Sequence, residues 1–207
     1  NLVIGKDSLN NITTGSSNVA IGTNSLQRVT EGSGNVGVGA NAFQSGSVTL
    51  PIGGKHNFAL GSVALGNLSS GNWNIGIGSG ALSQISTGSG NITIGYSSSV
   101  YTSTGSNNIV IGNYAGFTRS SETAISNKLI IENRLPILNS GSFWDNVPTG
   151  TYLPEKSLIY GDFLLRTIKL NGTLSIDPLN IPIADATYTK NIVAKADGTF
   201  GWEDRGK

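Results

Sequence analysis

The 207-residue sequence contains no cysteine, no methionine and a single histidine, and only 12% of its residues are charged. Without cysteine the chain forms no disulfide and offers no thiolate to a metal. No apolar run approaches the roughly 18 residues of a membrane-spanning helix. The net charge of +1 gives no electrostatic reason to bind nucleic acid or an anionic membrane. We therefore expect no nucleic-acid partner and no membrane insertion.

Composition changes near residue 127. Residues 1–127 contain 22 of the 29 glycines and only seven charged side chains. The rest of the chain, 128–207, contains nine basic side chains, nine acidic ones and five of the six prolines. This contrast predicts a repeat domain at 1–127, a cap and connector at 128–156, and a C-terminal β module at 157–207.

One nine-residue phrase dominates the first segment. It reads "NVAIGTNSL" at 18–26 and "NIGIGSGAL" at 74–82, and its opening asparagines fall at 1, 18, 35, 57, 74, 91 and 108. Every step between them has the same length except the one from 35 to 57, which is longer by five. A short fixed period is typical of a solenoid, in which each repeat is one coil stacked on the next. Because the chain begins inside a repeat and without methionine, we expect a fragment or a processed product.

Alternation within each copy predicts a short strand. The first and third residues after the asparagine are apolar, as in Ile75 and Ile77, and the residue between them is usually small, as in Gly76. We expect the apolar pair to face inward and the small residue to face outward against a close neighbour. The stacked asparagines are expected to hydrogen-bond along the rod as a polar ladder.

A glycine follows each strand and predicts a corner that needs positive φ or close backbone approach. These structural repeat corners are Gly5, Gly22, Gly39, Gly61, Gly78, Gly95 and Gly112. An eighth, degraded copy, "KLIIE" at 128–132, has Glu132 in place of the glycine and is expected to cap the stack. The predicted fold is all-β, a parallel β-solenoid (β-roll) of about seven 17-residue coils followed by a small β-rich module.

The phrase "N-x-V-x-I-G-x-x-S/A-L" over residues 1–116 resembles the head repeats of trimeric autotransporter adhesins and related repeats of bacteriophage tail fibres. The resemblance implies a left-handed parallel β-roll, association of three chains, and a surface that binds host or matrix molecules. It differs from the family in its longer period and in one coil that carries five extra residues.

The C-terminal segments at 157–176 and 191–205 look like the distal or joining regions of phage tail fibres. Physically, 157–176 predicts strands joined by turns, with a tight turn at Asn171-Gly172, and 191–205 predicts a hairpin around Asp197-Gly198. Trp202 is expected in a core or at a contact between chains. These segments favour a phage tail fibre in the virion tail over a bacterial surface adhesin head, which remains the alternative.

The sequence offers little chemistry for an enzyme. "GVGANA" and "GIGSGA" match a dinucleotide-binding fingerprint only superficially, because no helical pattern follows them. A serine nucleophile would need His56 as its base, and no nucleophile-elbow motif is present. The acids Asp7, Glu31 and Glu122 occupy different repeat positions, which argues against a polysaccharide-degrading tailspike. The turns lack the aspartates of calcium-binding β-rolls. We expect no catalytic residues, no metal and no cofactor.

The insertion at 44–56 is the one break in the repeat rhythm. Insertions in solenoids form loops on one face, which is often the binding face. Pro51, Lys55 and His56 therefore form the candidate recognition loop. The expected partners are two further copies of the chain, other tail or fibre proteins, and a host cell-surface glycan or protein.

Overall fold

The structure is a computed structural model, which describes residues 1–44, 53–99, 103–116, 124–133, 159–170, 190–194 and 200–204. All regular secondary structure in these residues is β-strand. The chain divides into two compact units, Asn1–Gly172 and Thr173–Lys207.

Eight short strands stack in parallel in the first unit, and each pairs in register with the next. The strands are β1 Leu2–Ile4, β2 Val19–Ile21, β3 Val36–Val38, β4 Phe58–Leu60, β5 Ile75–Ile77, β6 Ile92–Ile94, β7 Ile109–Ile111 and β8 Lys128–Ile131. Each coil thus advances the chain along the stack by one strand. The predicted parallel β-solenoid of about seven 17-residue coils is confirmed.

The insertion leaves the stack undisturbed. Asn35 and Asn57 are 22 residues apart, yet Val36 pairs with Phe58 in the same register as every other coil. Residues 45–52 of this coil lie outside the described residues. The long coil closes on the same hydrogen bonds of the asparagines as the shorter coils do.

The strands present the opposite faces to the interior and to the outside from those predicted. The middle residue of β2 to β8 is buried, as Ala20, Ala59 and Thr93 show with no exposed surface, whereas the flanking apolar residues are half-buried or exposed. The reason is space. Large side chains from the turn that follows each strand fill the interior of the first five coils, so the inner face of β2 to β5 holds only alanine or glycine.

Those core side chains come from two positions of each coil. The eighth residue after the asparagine is buried in the first five copies, where it is Leu9, Leu26, Phe43, Leu65 or Leu82. The backbone there is left-handed, with φ between +48° and +54°. The eleventh position adds Val29, Leu68 and Ile85, all fully buried, and the half-buried Ile12. A bulky residue in this region of φ costs about 1–3 kcal/mol, which burial of the same side chain offsets.

The predicted asparagine ladder is present, and it runs the length of the stack. The side-chain oxygen of each asparagine accepts a hydrogen bond from the backbone N–H of the next one, at 2.8–3.1 Å. Asn108 continues the ladder to the N–H of Lys128 at 3.0 Å. From Asn18 onward these residues are almost wholly buried. The ladder therefore satisfies backbone donors that no water reaches.

The eighth strand ends the parallel stack. In the coils that precede it, the backbone N–H of the eighth residue after the asparagine donates to a backbone carbonyl of the next coil. Ser99, for example, donates to Ala115 at 2.8 Å. At Gly116 the acceptor is instead the Oε1 of Glu132, at 3.0 Å. The buried carboxylate replaces the missing carbonyl. We refer to this end of the parallel stack as the cap.

Beyond the cap the strands run antiparallel. β9 (Ile159–Asp162) pairs with β8, and β10 (Thr167–Leu170) pairs with β9. In the second unit β11 (Lys190–Ala194) pairs antiparallel with β12 (Phe200–Asp204), as the predicted hairpin requires. The turns at 171–172 and 197–198 lie outside the described residues, and so does the side chain of Trp202.

Candidate functional site

The glycine corners pack directly against one another along the stack. All seven glycines after the strands have φ between +123° and +138°. A Cβ at Gly78 would overlap the carbonyl oxygen of Gly95 in the next coil. Both the backbone conformation and the space therefore require glycine at this position. The column of corners positions the turn that follows but offers no side chain to a ligand.

The other corner, just before each asparagine, carries the side chains of interest. We call the residues before each repeat asparagine, or before Lys128 in the eighth copy, the corner column; they are Ser17, Gly34, His56, Trp73, Gly90, Asn107 and Asn127. All have left-handed φ, between +55° and +70°. Of the predicted recognition residues, His56 lies in this column and the exposed Lys55 directly precedes it. Pro51 lies outside the described residues.

Trp73 is the residue that sequence reasoning missed. Its ring stacks on that of His56, with ring centroids 6.4 Å apart and planes 6° from parallel. The side chain of Trp73 is 65% exposed. The two residues are one coil apart in sequence, and that spacing was the available signal. The structure thus joins the end of the insertion to the next coil.

A second aromatic pair lies farther along the solenoid. Tyr96 and Tyr114 meet edge to face, with ring centroids 5.3 Å apart. Burial raises the pKa of the Tyr114 hydroxyl above its ordinary value, and the neighbouring Tyr96 adds to the rise through its charge and a hydrogen bond. Tyr96 itself is 46% exposed. This pair is less open than Trp73.

The outward sides of the strands form a continuous apolar face, which we call the strand face. It consists of the first and third positions of the strands β1 to β7 together with Leu129 and Ile131 of β8, and all sixteen residues are Ile, Val, Leu or Phe. Leu60, Ile94 and Ile111 on this face are 37–40% exposed. Eight strands at about 4.8 Å give a stripe roughly 34 Å long.

A small cavity lies inside the coils that contain β6 and β7. It has a volume of about 10 Å³ and is lined by residues that include Thr93, Ser99 and Gly116. Ser99 and Gly116 replace the leucines of the coils below, so the core is thinner there. The buried Oγ1 of Thr93 has no hydrogen-bond partner among the residues that the structure describes. The cavity is near the smallest volume that holds one water.

Titratable groups are sparse in the solenoid. Asp7 and Glu31 lie in different coils and at different repeat positions, and Glu122 lies outside the described residues. Within the part of the chain that the structure describes, no three His, Cys, Asp or Glu side chains are grouped so as to hold a metal. Nor does this part contain a helix long and apolar enough to cross a membrane.

Comparison of the chain with protein-family models, with curated proteins and with solved structures gave no match.

Proposed function

We propose that this chain is a non-enzymatic, homotrimeric segment of a bacteriophage tail fibre that holds or presents a host-recognition surface. The observation that carries the proposal is the strand face. Contiguous apolar surface on a soluble protein marks an interaction site, and this one follows the stack from its first strand to its last parallel strand.

Two further copies of the chain are the occupants that fit this face. Its apolar side chains recur once per coil, at the spacing of the strands, and no charged residue interrupts the two columns. A partner must offer a complementary apolar stripe of the same length and step. Another copy of the same solenoid does so, because its own strand face has the same period, and cyclic symmetry closes the assembly.

The chemistry of the remaining surface supports recognition or spacing rather than catalysis. The turns of the coils present mainly serine, threonine, asparagine and glycine. Ser89, for example, accepts a hydrogen bond from the N–H of Asn72 at 3.0 Å. These side chains brace neighbouring turns, and the resemblance to phage fibre repeats supports the placement in a virion tail.

Two measurements test the proposal. Light scattering of the folded protein is expected to give three times the 21.4 kDa of one chain, and a mass of 21.4 kDa at micromolar concentration would refute the trimer. Immunogold labelling of a culture that produces the protein is expected to decorate the tails of virus particles. Label on the bacterial surface alone would instead establish the alternative, a bacterial adhesin head.

A further inference from the structure

The corner column places its largest side chain, that of Trp73, on a backbone that suits glycine or asparagine. The left-handed φ shared by these positions is easy for glycine and tolerable for asparagine. Gly34, Gly90, Asn107 and Asn127 conform to this preference, whereas Trp73 adopts φ of +55°. A bulky residue there carries a strain of about 1–3 kcal/mol. At the eighth position of the coils such strain is offset by burial, whereas Trp73 is 65% exposed.

The Trp73 ring is nevertheless held in place. Its backbone N–H donates to the carbonyl of Lys55 at 3.1 Å, and the N–H of His56 donates to the carbonyl of Ser33 at 3.0 Å. The near-parallel His56 ring supports one face of the indole. A rigid aromatic side chain anchored in this way loses little entropy when a ligand binds.

The opposite face of the indole is open. The next residue of the corner column is Gly90, which has no side chain to cover it. The following one, Asn107, has its side-chain oxygen over the Cα of Gly90, where a Cβ would be only 2.7 Å away. Trp73 and Asn107 lie two coils apart, or roughly 10 Å at the strand spacing. A ring stacked on the indole would lie at the level of Gly90, the position of the corner column between them that has no side chain.

The polar side chains next to Trp73 along the chain and in the neighbouring coils indicate the class of ligand. Asn72 uses its side-chain oxygen to accept from the N–H of Lys55 at 2.8 Å, and its amide hydrogens donate to no group among the described residues. Ser89 lies one coil farther along the same turn. Lys55 is exposed and forms no ion pair with the residues described. An aromatic face bordered by neutral donors and acceptors matches a sugar ring, which has a face of C–H groups and a rim of hydroxyls.

Other ligands of aromatic platforms fit less well. A quaternary ammonium ion prefers several aromatic faces and no cation nearby, whereas Lys55 adjoins this site. A nucleic-acid base would bring phosphates that require a basic groove, and residues 1–127 contain only four basic residues.

We propose that Trp73, backed by His56, is a stacking platform for one sugar ring of a host cell-surface glycan. Asn72 and Ser89 hydrogen-bond the hydroxyls of that ring, and Lys55 favours sugars that carry a carboxylate. This inference rests on the proposed function, since it names the ligand class of the recognition surface.

The test uses an array of immobilised oligosaccharides that includes neutral hexoses, N-acetylhexosamines and hexuronic acids. Four forms of the full chain are compared: the native chain, Trp73→Asn, Trp73→Phe and Lys55→Gln. Asparagine occupies the same column with a similar φ at 107 and 127, so Trp73→Asn removes the platform without disturbing the coil. Phenylalanine retains an aromatic face.

We expect the native chain to bind a subset of the array, Trp73→Asn to lose at least tenfold in affinity, and Trp73→Phe to lose much less. Lys55→Gln should weaken binding to hexuronic acids alone. Binding of Trp73→Asn equal to that of the native chain would overturn the inference, as would absence of binding to any oligosaccharide. A change in the number of associated chains in Trp73→Asn, measured as the mass of the assembly in solution, would also overturn it, because Trp73 would then belong to a contact between chains. A trimeric protein that labels virus tails but binds no sugar leaves the proposed function standing.

Discussion

The side-chain oxygen of Asn57 accepts two hydrogen bonds from Asn74, one from the backbone N–H at 2.9 Å and one from the side-chain amide at 3.1 Å. Asn74 also donates to the carbonyl of Gly88 at 2.8 Å. The same residue therefore ties together the coil before it, its own coil and the turn after it, all away from water.

Replacing Asn74 with alanine is expected to lower the free energy of unfolding by about 3 kcal/mol, because the change leaves the buried N–H of Asn91 without its acceptor and the carbonyl of Gly88 without its donor. Each unsatisfied buried group costs about 1–3 kcal/mol. Ser79→Ala is the control, because the hydrogen bond from the Ser79 hydroxyl to the carbonyl of Ser62 is exposed. Urea unfolding at one protein concentration measures both variants. Equal losses would show that the ladder contributes nothing beyond an ordinary surface hydrogen bond.

A matched pair of glycines tests the corners. Gly78→Ala places a Cβ against the carbonyl of Gly95 at φ of +124°, whereas a Cβ at Gly53 meets nothing within 4 Å. We expect Gly78→Ala to lower the free energy of unfolding by more than about 2 kcal/mol and Gly53→Ala to change it by less than about 0.5 kcal/mol. Thermal unfolding gives the comparison. Similar melting temperatures for the two variants would contradict a special role for the corner.

The cap at Glu132 is tested by two substitutions that differ in hydrogen-bonding capacity. Glu132→Gln keeps an oxygen that can accept from the N–H of Gly116, and Glu132→Ala removes it. We expect the alanine variant to lose about 1–3 kcal/mol of stability and the glutamine variant to lose less. Hydrogen exchange at Gly116 is the direct readout. Protection at this amide that survives in the alanine variant would show that another group supplies the cap.

The unpartnered hydroxyl of Thr93 predicts a stabilising change. Valine has nearly the same shape and removes the buried oxygen, so Thr93→Val is expected to raise the free energy of unfolding by about 1 kcal/mol. The control is Thr13→Val, which should lower stability slightly because the Thr13 hydroxyl donates to the carbonyl of Thr30 at 2.9 Å. If Thr93→Val is instead destabilising, the cavity beside it holds a water that the hydroxyl binds.

The strand face predicts the position of the contact between chains. Ile94→Lys places three charges along the proposed trimer contact, where desolvation opposes association. Light scattering is expected to show a single folded chain of 21.4 kDa. Ser70→Lys should remain trimeric, because the equivalent exposed position of another coil already holds Glu31. A trimeric Ile94→Lys protein would place the contact elsewhere.

The repeat made most of the solenoid predictable, because a fixed step specifies the register of every strand once one pair is aligned. The orientation of the strands was not predictable from their alternation. A strand of three residues has a period of two but contains no indication of which face is inside. Large residues flanking a small one therefore suggested the wrong face.

The orientation of the strands is indicated instead by the sizes of two residues in each coil, the middle residue of the strand and the eighth residue after the asparagine. Where the eighth position is Leu82, the middle of the strand is Gly76, and where it shrinks to Ser99 or Gly116, the middle residue grows to Thr93 or Val110. Both positions share one narrow interior, so their volumes compensate. The stacking of Trp73 on His56 follows from their spacing of one coil. A search for motifs along the chain does not compare residues at that spacing, so it missed the pair.

Because the ladder accommodates one longer coil, the length of the rod and the surface of each coil are determined separately. The number of coils determines the length of the rod, in whole steps of one strand spacing, while the number of residues in a coil changes only what projects from its side. Length and surface can therefore evolve independently. Duplication of a coil lengthens the solenoid, and insertion into a coil changes only the surface of that coil.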